Sequence, residues 1–238
     1  LFTEIIVSTS GVAGANAAGT SVSVAGISFS GTGAGSIENS GVIVGSSRAI
    51  EFTGNANFDW VITNNTGGLI GFFAGTAATT TAATGIAISS SSSLTGGVVN
   101  SGTIQGTAFA INVTTGSSVT GGISNAGLIS ATAGTGIFAS ALSSIGSITN
   151  SGTITGGGGN AIIFGDVDST LTLQTGSTLN GDADGGTGTN DTLVLEGNGS
   201  EDSSFTNFEN LTVSASSSGT WVLSGDSNFD ALTVNSGT

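Results

Sequence analysis

Asn100-Ser101-Gly102-Thr103-Ile104, Asn125-Ala126-Gly127-Leu128-Ile129 and Asn150-Ser151-Gly152-Thr153-Ile154 are one motif at a strict spacing of 25 residues. The pattern stands earlier as Asn39-Ser40-Gly41-Val42-Ile43 and Asn65-Thr66-Gly67-Gly68-Leu69, and Asn235-Ser236-Gly237-Thr238 opens a further copy. A fixed period of about 20 to 50 residues marks a solenoid, in which each repeat buries its apolar face against the next. Inside one period, short runs of β-branched and aliphatic residues are bounded by Gly, Ser and Asn, as strands are. The unit from Asn100 parses as Thr103-Ile104-Gln105, Phe109-Ala110-Ile111-Asn112-Val113 and Ser118-Val119-Thr120, with Gly122-Ile123-Ser124 leading into Asn125. The next unit repeats it with Leu128-Ile129-Ser130, Gly136-Ile137-Phe138-Ala139 and Ile145-Gly146-Ser147-Ile148.

The expected fold is therefore all-β: a right-handed parallel β-helix with three short strands per coil of about 25 residues. Gly is expected at the corners for its positive φ, and stacked Asn to hydrogen-bond along the axis. The expected core runs through Ile43, Ile104, Ile111, Ile129, Ile137, Phe138, Ile148, Ile154 and Ile163. Residues 1–36 read as an N-terminal strand or cap with the first coils, 37–165 as the regular repeats, and 166–238 as an acidic continuation. Strand-like alternation persists in that last part, at Thr170-Leu171-Thr172-Leu173, Thr192-Leu193-Val194-Leu195 and Leu211-Thr212-Val213.

Composition narrows the function. The 238 residues hold 42 Gly, no Pro, Cys or His, and a single basic side chain, Arg48, for a net charge of −14. Nucleic acid and anionic lipid are poor partners for such a chain, since both are held by Lys and Arg. Thiolate chemistry and disulfides are excluded with cysteine. No apolar run is long enough for a membrane helix. The chain stops inside a motif copy and lacks a leader, so it is expected to be a segment of a longer secreted polypeptide.

The C-terminal succession Asn190-Asp191-Thr192-Leu193-Val194-Leu195, Phe208-Glu209-Asn210-Leu211-Thr212-Val213, Gly219-Thr220-Trp221-Val222-Leu223-Ser224-Gly225 and Leu232-Thr233-Val234-Asn235-Ser236-Gly237-Thr238 resembles the passenger domains of bacterial autotransporters. The Asn-Ser-Gly-Thr-Ile repeats are similar to the same family, and the resemblance spans most of residues 37–238. It implies a β-helical adhesin or structural stalk on a Gram-negative cell surface, followed in that family by a membrane barrel that is absent here. The partners implied are a host or neighbouring cell surface.

Of the 15 acidic residues, 11 lie between Asp166 and Asp230. Gly185-Gly186-Thr187-Gly188-Thr189-Asn190-Asp191-Thr192-Leu193 resembles a calcium-binding nonapeptide with one residue inserted, which suggests calcium at Asp182, Asp184 and Asp191; no other cofactor is expected. Asp166 with Asp168, and Asp182 with Asp184, are the pairs that a β-helical polysaccharide hydrolase would need. Solvated turn acids are the plainer reading, and no catalytic residue is assigned: the chain is expected not to be an enzyme. Trp60 and Trp221 read as core or cap packing, and Arg48 as a partner for Glu51 or Glu38. A second function competes with the stalk. The apolar start Leu1, Phe2, Ile5, Ile6 and Val7 could be an assembly strand, joining copies into a filament head to tail or by strand donation.

Overall fold

Ile, Val and Leu alternate with Ser, Thr and Asn along each short run, so one face of each strand must be covered; coiling the chain lets every strand cover the one before it. The computed structural model describes residues 4–7, 12–13, 25–45, 47–71, 84–215 and 219–236. Among these the secondary structure is all β, with parallel strands stacked as a β-solenoid at a spacing near 25 residues. Two 13-stranded sheets carry it, with a two-stranded sheet, Gly199–Glu201 with Trp221–Leu223, near the end.

In a regular coil the strands are Thr103–Gly106, Phe109–Val113, Ser118–Val119 and Ile123–Asn125. The third expected side is thus two segments, with Gly122 at φ 75° in the turn between them. Two coils earlier the same path is a single strand, Asn57–Asn64, which pairs with both Ser93–Leu94 and Val98–Asn100 of the coil between.

The interior is made of columns that repeat one residue type from coil to coil. Ile43, Ile70, Ile104, Ile129, Ile154 and Leu179 form one, each paired in register with the next and at most 2% exposed. Ile50, Ile86, Ile111, Ile137 and Ile162 form another, all at 0% exposure. β-branched side chains are stiff at χ1, which favours close packing of like on like along such a column. Trp60 closes the early coils, packed against Phe29 and Phe52 with ring centroids 4.6 and 6.4 Å away.

Two expected core residues face the other way. Phe138 and Ile163 are register partners on the outer face and are only half-buried, while Ile137 and Ile162 point in. Phe138 stacks instead on Phe109 at 5.0 Å. A pair of adjacent apolar residues cannot both point inward on a pleated strand.

The corner glycines also differ from expectation. Gly102, Gly127 and Gly152 lie outside the positive-φ set. A Cβ on any of them would overlap the carbonyl oxygen of Gly68, Gly102 or Gly127 in the coil before. Closeness between coils, not backbone handedness, excludes a side chain there.

Candidate functional site

The Asn ladder is the main polar feature of the interior. Asn39, Asn64, Asn100, Asn125 and Asn150 stack in register, each at most 1% exposed. Each Nδ2 donates to the Oδ1 of the next, at 2.7, 2.8, 2.7 and 2.8 Å. The second amide proton serves a corner carbonyl, as in Asn125 to Gly127 O at 3.2 Å. A side-chain amide has both donor and acceptor, so it can continue such a chain indefinitely, with a second proton left for the corner carbonyl. The motif pointed to Asn65, but Asn64 occupies the column; two extra turn residues before Leu69 shift the match. Asn65 lies outside it and donates to Ser40 Oγ at 3.1 Å.

After Asn150 the column changes to Leu173, Leu195, Val213 and Val234. From here carboxylates link the coils. Asp191 is at 0% exposure, and its Oδ1 accepts from the Ser169 N–H of the preceding coil at 2.6 Å. Its own N–H donates onward to Glu209 Oε2 at 2.7 Å. Asp191 Oδ2 is buried without a hydrogen-bond partner. Glu201, 4% exposed, accepts the Leu179 N–H on both oxygens at 3.2 and 3.3 Å.

Burial pushes the Asp191 carboxyl up to about 6, against the Ser169 N–H, with the charges of Glu209, Asp168 and Asp184 adding to the rise. Burial likewise pushes Glu201 up to about 7, opposed by the Leu179 N–H and reinforced by Asp202. Asp168 goes the other way: the Thr189 N–H at 2.9 Å, with help from Asn190, holds it below the usual carboxylate range. These are the expected signs for a desolvated acid and for an exposed acid that accepts backbone N–H groups.

The remaining candidate acids also accept hydrogen bonds from neighbouring coils, at the surface. Asp166 Oδ2 accepts from Leu142 N at 2.9 Å, holding that residue at φ 63°, and its Oδ1 accepts from Thr187. Asp182 caps Ser204 N, and Asp184 accepts from Gly186 N and Asn207 Nδ2. The structure does not bring Asp182, Asp184 and Asp191 to a common point. The first two stand on the outer face of Thr178–Asp184, whereas Asp191 points inward. Among the described residues no group of three or more His, Cys, Asp or Glu is placed to hold a metal ion. Arg48 pairs with Glu51 at 3.0 Å, and the Trp221 Nε1 donates to the Glu196 carbonyl at 3.3 Å.

Of the expected assembly residues, Leu1 and Phe2 lie outside the described residues. Ile5, Ile6 and Val7 belong to the strand Glu4–Val7, which pairs in parallel with Gly33–Asn39.

At the other end lies a feature the sequence reading missed. The strand Ala231–Ser236 pairs with Asn210–Ser214, and among the described residues no strand pairs with its far edge. Leu232 and Val234 occupy interior register positions yet are 65% and 57% exposed. Beside them a cleft of about 590 Å³ opens between Phe205–Glu209 and Asp226–Asp230, with Phe205 and Phe208 at its base and Glu209, Asp226 and Asp230 around it. Alternation in Leu232-Thr233-Val234 was the available signal: it places both apolar residues on one face.

No family model matches the chain, and no curated protein or solved structure matches it.

Proposed function

We propose that this chain is a rigid, non-enzymatic stretch of an extracellular β-solenoid, acting at a bacterial cell surface as a stalk or adhesin. The observation that carries the reading is the use already made of its acids. Every acid of the candidate carboxylate pairs accepts a coil-to-coil hydrogen bond: Asp166 from Leu142 and Thr187, Asp168 from Thr189 and Asn190, Asp182 from Ser204, Asp184 from Asn207. Glycoside hydrolysis needs two opposed carboxyls free to exchange protons across a substrate. A stack of identical rungs, by contrast, resists bending and presents long faces of Ser, Thr and Asn. The resemblance to autotransporter passengers supports the same placement, with a host or neighbouring cell as partner.

The test combines two assays on the purified chain. Incubation with pectin, alginate and other acidic glycans should release no reducing ends, and cells displaying the chain should adhere more than cells without it. Hydrolysis that disappears in Asp166→Asn or Asp182→Asn would overturn the reading.

A further inference from the structure

We infer that Asn180 is a site of spontaneous covalent modification. Its side-chain amide is lost through a cyclic imide closed by the backbone nitrogen of Gly181, while the fold protects the other Asn-Gly pair, Asn198-Gly199.

Asn-Gly occurs in the sequence at these two places. Glycine has no Cβ to keep its nitrogen away from the side chain before it. In the reaction the Gly181 nitrogen gives its proton to water and bonds to Cγ of Asn180. The Cγ–Nδ2 bond breaks, and the amide group takes a proton from water and leaves as ammonia. A second water adds to either carbonyl of the ring and opens it, which leaves aspartate or isoaspartate at position 180. Net, one water enters and one ammonia departs, and nothing is oxidised or reduced.

The two pairs stand in different surroundings. The strands Thr153–Ile163 and Thr178–Asp184 lose register beside Gly181: pairing passes from Thr155 with Asn180 to Asn160 with Asp182. Residues 156–159 form the bulge between these pairs, and Gly181 has no Cα partner in the register. Such a bulge interrupts the ladder locally. Gly181 also stands at φ 120°, outside the ordinary strand conformation. Asn180 itself is exposed on the outer face, and its Nδ2 donates to Thr155 Oγ1 at 3.0 Å in a bond open to water.

At the second pair the nucleophile is occupied. The Gly199 N–H donates to the Thr220 carbonyl at 3.0 Å. A Cβ on Gly199 would overlap the Trp221 indole, so the ring covers that stretch of backbone. Asn198 is held as well: its N–H donates to Thr175 Oγ1 at 3.0 Å, and its Oδ1 accepts from the same hydroxyl at 3.3 Å. Imide closure there must first break the pairing of Gly199–Glu201 with Trp221–Leu223.

The product changes the region that holds it. A carboxylate at 180 shares the outer face of Thr178–Asp184 with Asp182, so it sets like charges on one strand. Isoaspartate adds a carbon to the backbone of the strand that joins Thr153–Ile163 to Phe205–Thr206.

Peptide mapping by mass spectrometry tests this on the intact chain, incubated at mildly alkaline pH both folded and in guanidinium. Isoaspartyl methyltransferase labelling reports the ring-opened product independently. In the folded chain Asn180 should convert about tenfold or more faster than Asn198, because Asn198 must first give up backbone pairing. In guanidinium the two should convert at similar rates. Asn180→Gln, whose longer side chain closes a ring less readily, should remove the early methyl label without changing the circular dichroism. Folded chain in which Asn198 converts first, or in which neither pair converts, overturns the inference. So does a preference for Asn180 that persists undiminished in guanidinium, since it would then belong to the local sequence and not to the bulge.

Discussion

Residues 39–150 and residues 166–213 solve one problem in two ways. Both must join stacked coils through polar groups that water cannot reach. The first region uses a neutral amide ladder, in which each Asn from Asn39 to Asn125 donates to the next, and Leu173 follows Asn150 in the column. The second replaces the amide with Leu173 and Leu195 and moves the polar link elsewhere, to Asp191 and Glu201, each accepting a backbone N–H from the coil before. An amide chain is self-complementary and unaffected by pH. A carboxylate accepts but cannot donate when ionised, so each one needs its own backbone donors and carries its charge into the interior. The comparison teaches that a solenoid's polar spine is a choice of chemistry, and that the choice decides what solution conditions the region feels.

The comparison can be broken hardest by a buried charge. Ile129→Asp places a carboxylate in the Ile104–Ile129–Ile154 column with no N–H to accept, unlike Asp191. It should cost several kcal/mol, on the order of 4 or more, read as a lowered guanidinium midpoint. An unchanged midpoint would show that the column is not the core.

Asn125→Leu comes next. Although Leu173 and Leu195 occupy the same column further on, a single Leu here orphans the Asn100 amide and the Asn150 carbonyl oxygen. The expected cost is about 3 kcal/mol. Replacing all five ladder residues by Leu should cost less per site, because the amide-to-amide partners are removed together and only the corner backbone groups lose a bond. If the single and the fivefold substitution cost the same per site, the ladder is not acting as a unit.

The acid region sharpens the contrast through pH. The folded pKa values of about 6 for Asp191 and about 7 for Glu201 lie above the ordinary 3.8 and 4.5. The folded state therefore binds these protons more tightly than the unfolded chain does, and stability falls as pH rises through that window. Each group is worth on the order of 2 kcal/mol between about pH 4 and pH 8. Asp168 has the opposite sign, and its contribution is lost only when pH falls through its lowered value. Glu201→Gln should raise the midpoint at pH 8 and leave it nearly unchanged at pH 5, as thermal unfolding would record. The smallest effect is ionic strength. Added salt screens repulsion among exposed acids, so residues 166–230 should gain about 0.5 kcal/mol or less while the ladder region stays constant.

Much of this was legible from the repeats. The 25-residue spacing, the strand Phe109–Val113 and the Asn stacking follow from periodicity and from what an amide can do. The misassigned Asn65 and the outward Phe138 and Ile163 have separate causes. A turn insertion slips a motif match without moving the strands, and a doublet of apolar residues hides which one points in. Asp191 was readable too: it shares a face with Leu193 and Leu195, so alternation alone sends it inward. Glu201 offered no such cue, since its short strand Gly199–Glu201 is set by pairing with Trp221–Leu223.

Hydrogen exchange resolved by segment, at pH 8 and at pH 5.5 with intrinsic rates corrected, tests the two-chemistry account most directly. The account predicts that opening free energies across residues 169–205 rise on acidification, while those across residues 98–150 stay the same. Equal responses in the two regions, or a loss of protection around Ser169 and Leu179 at the lower pH, would contradict it.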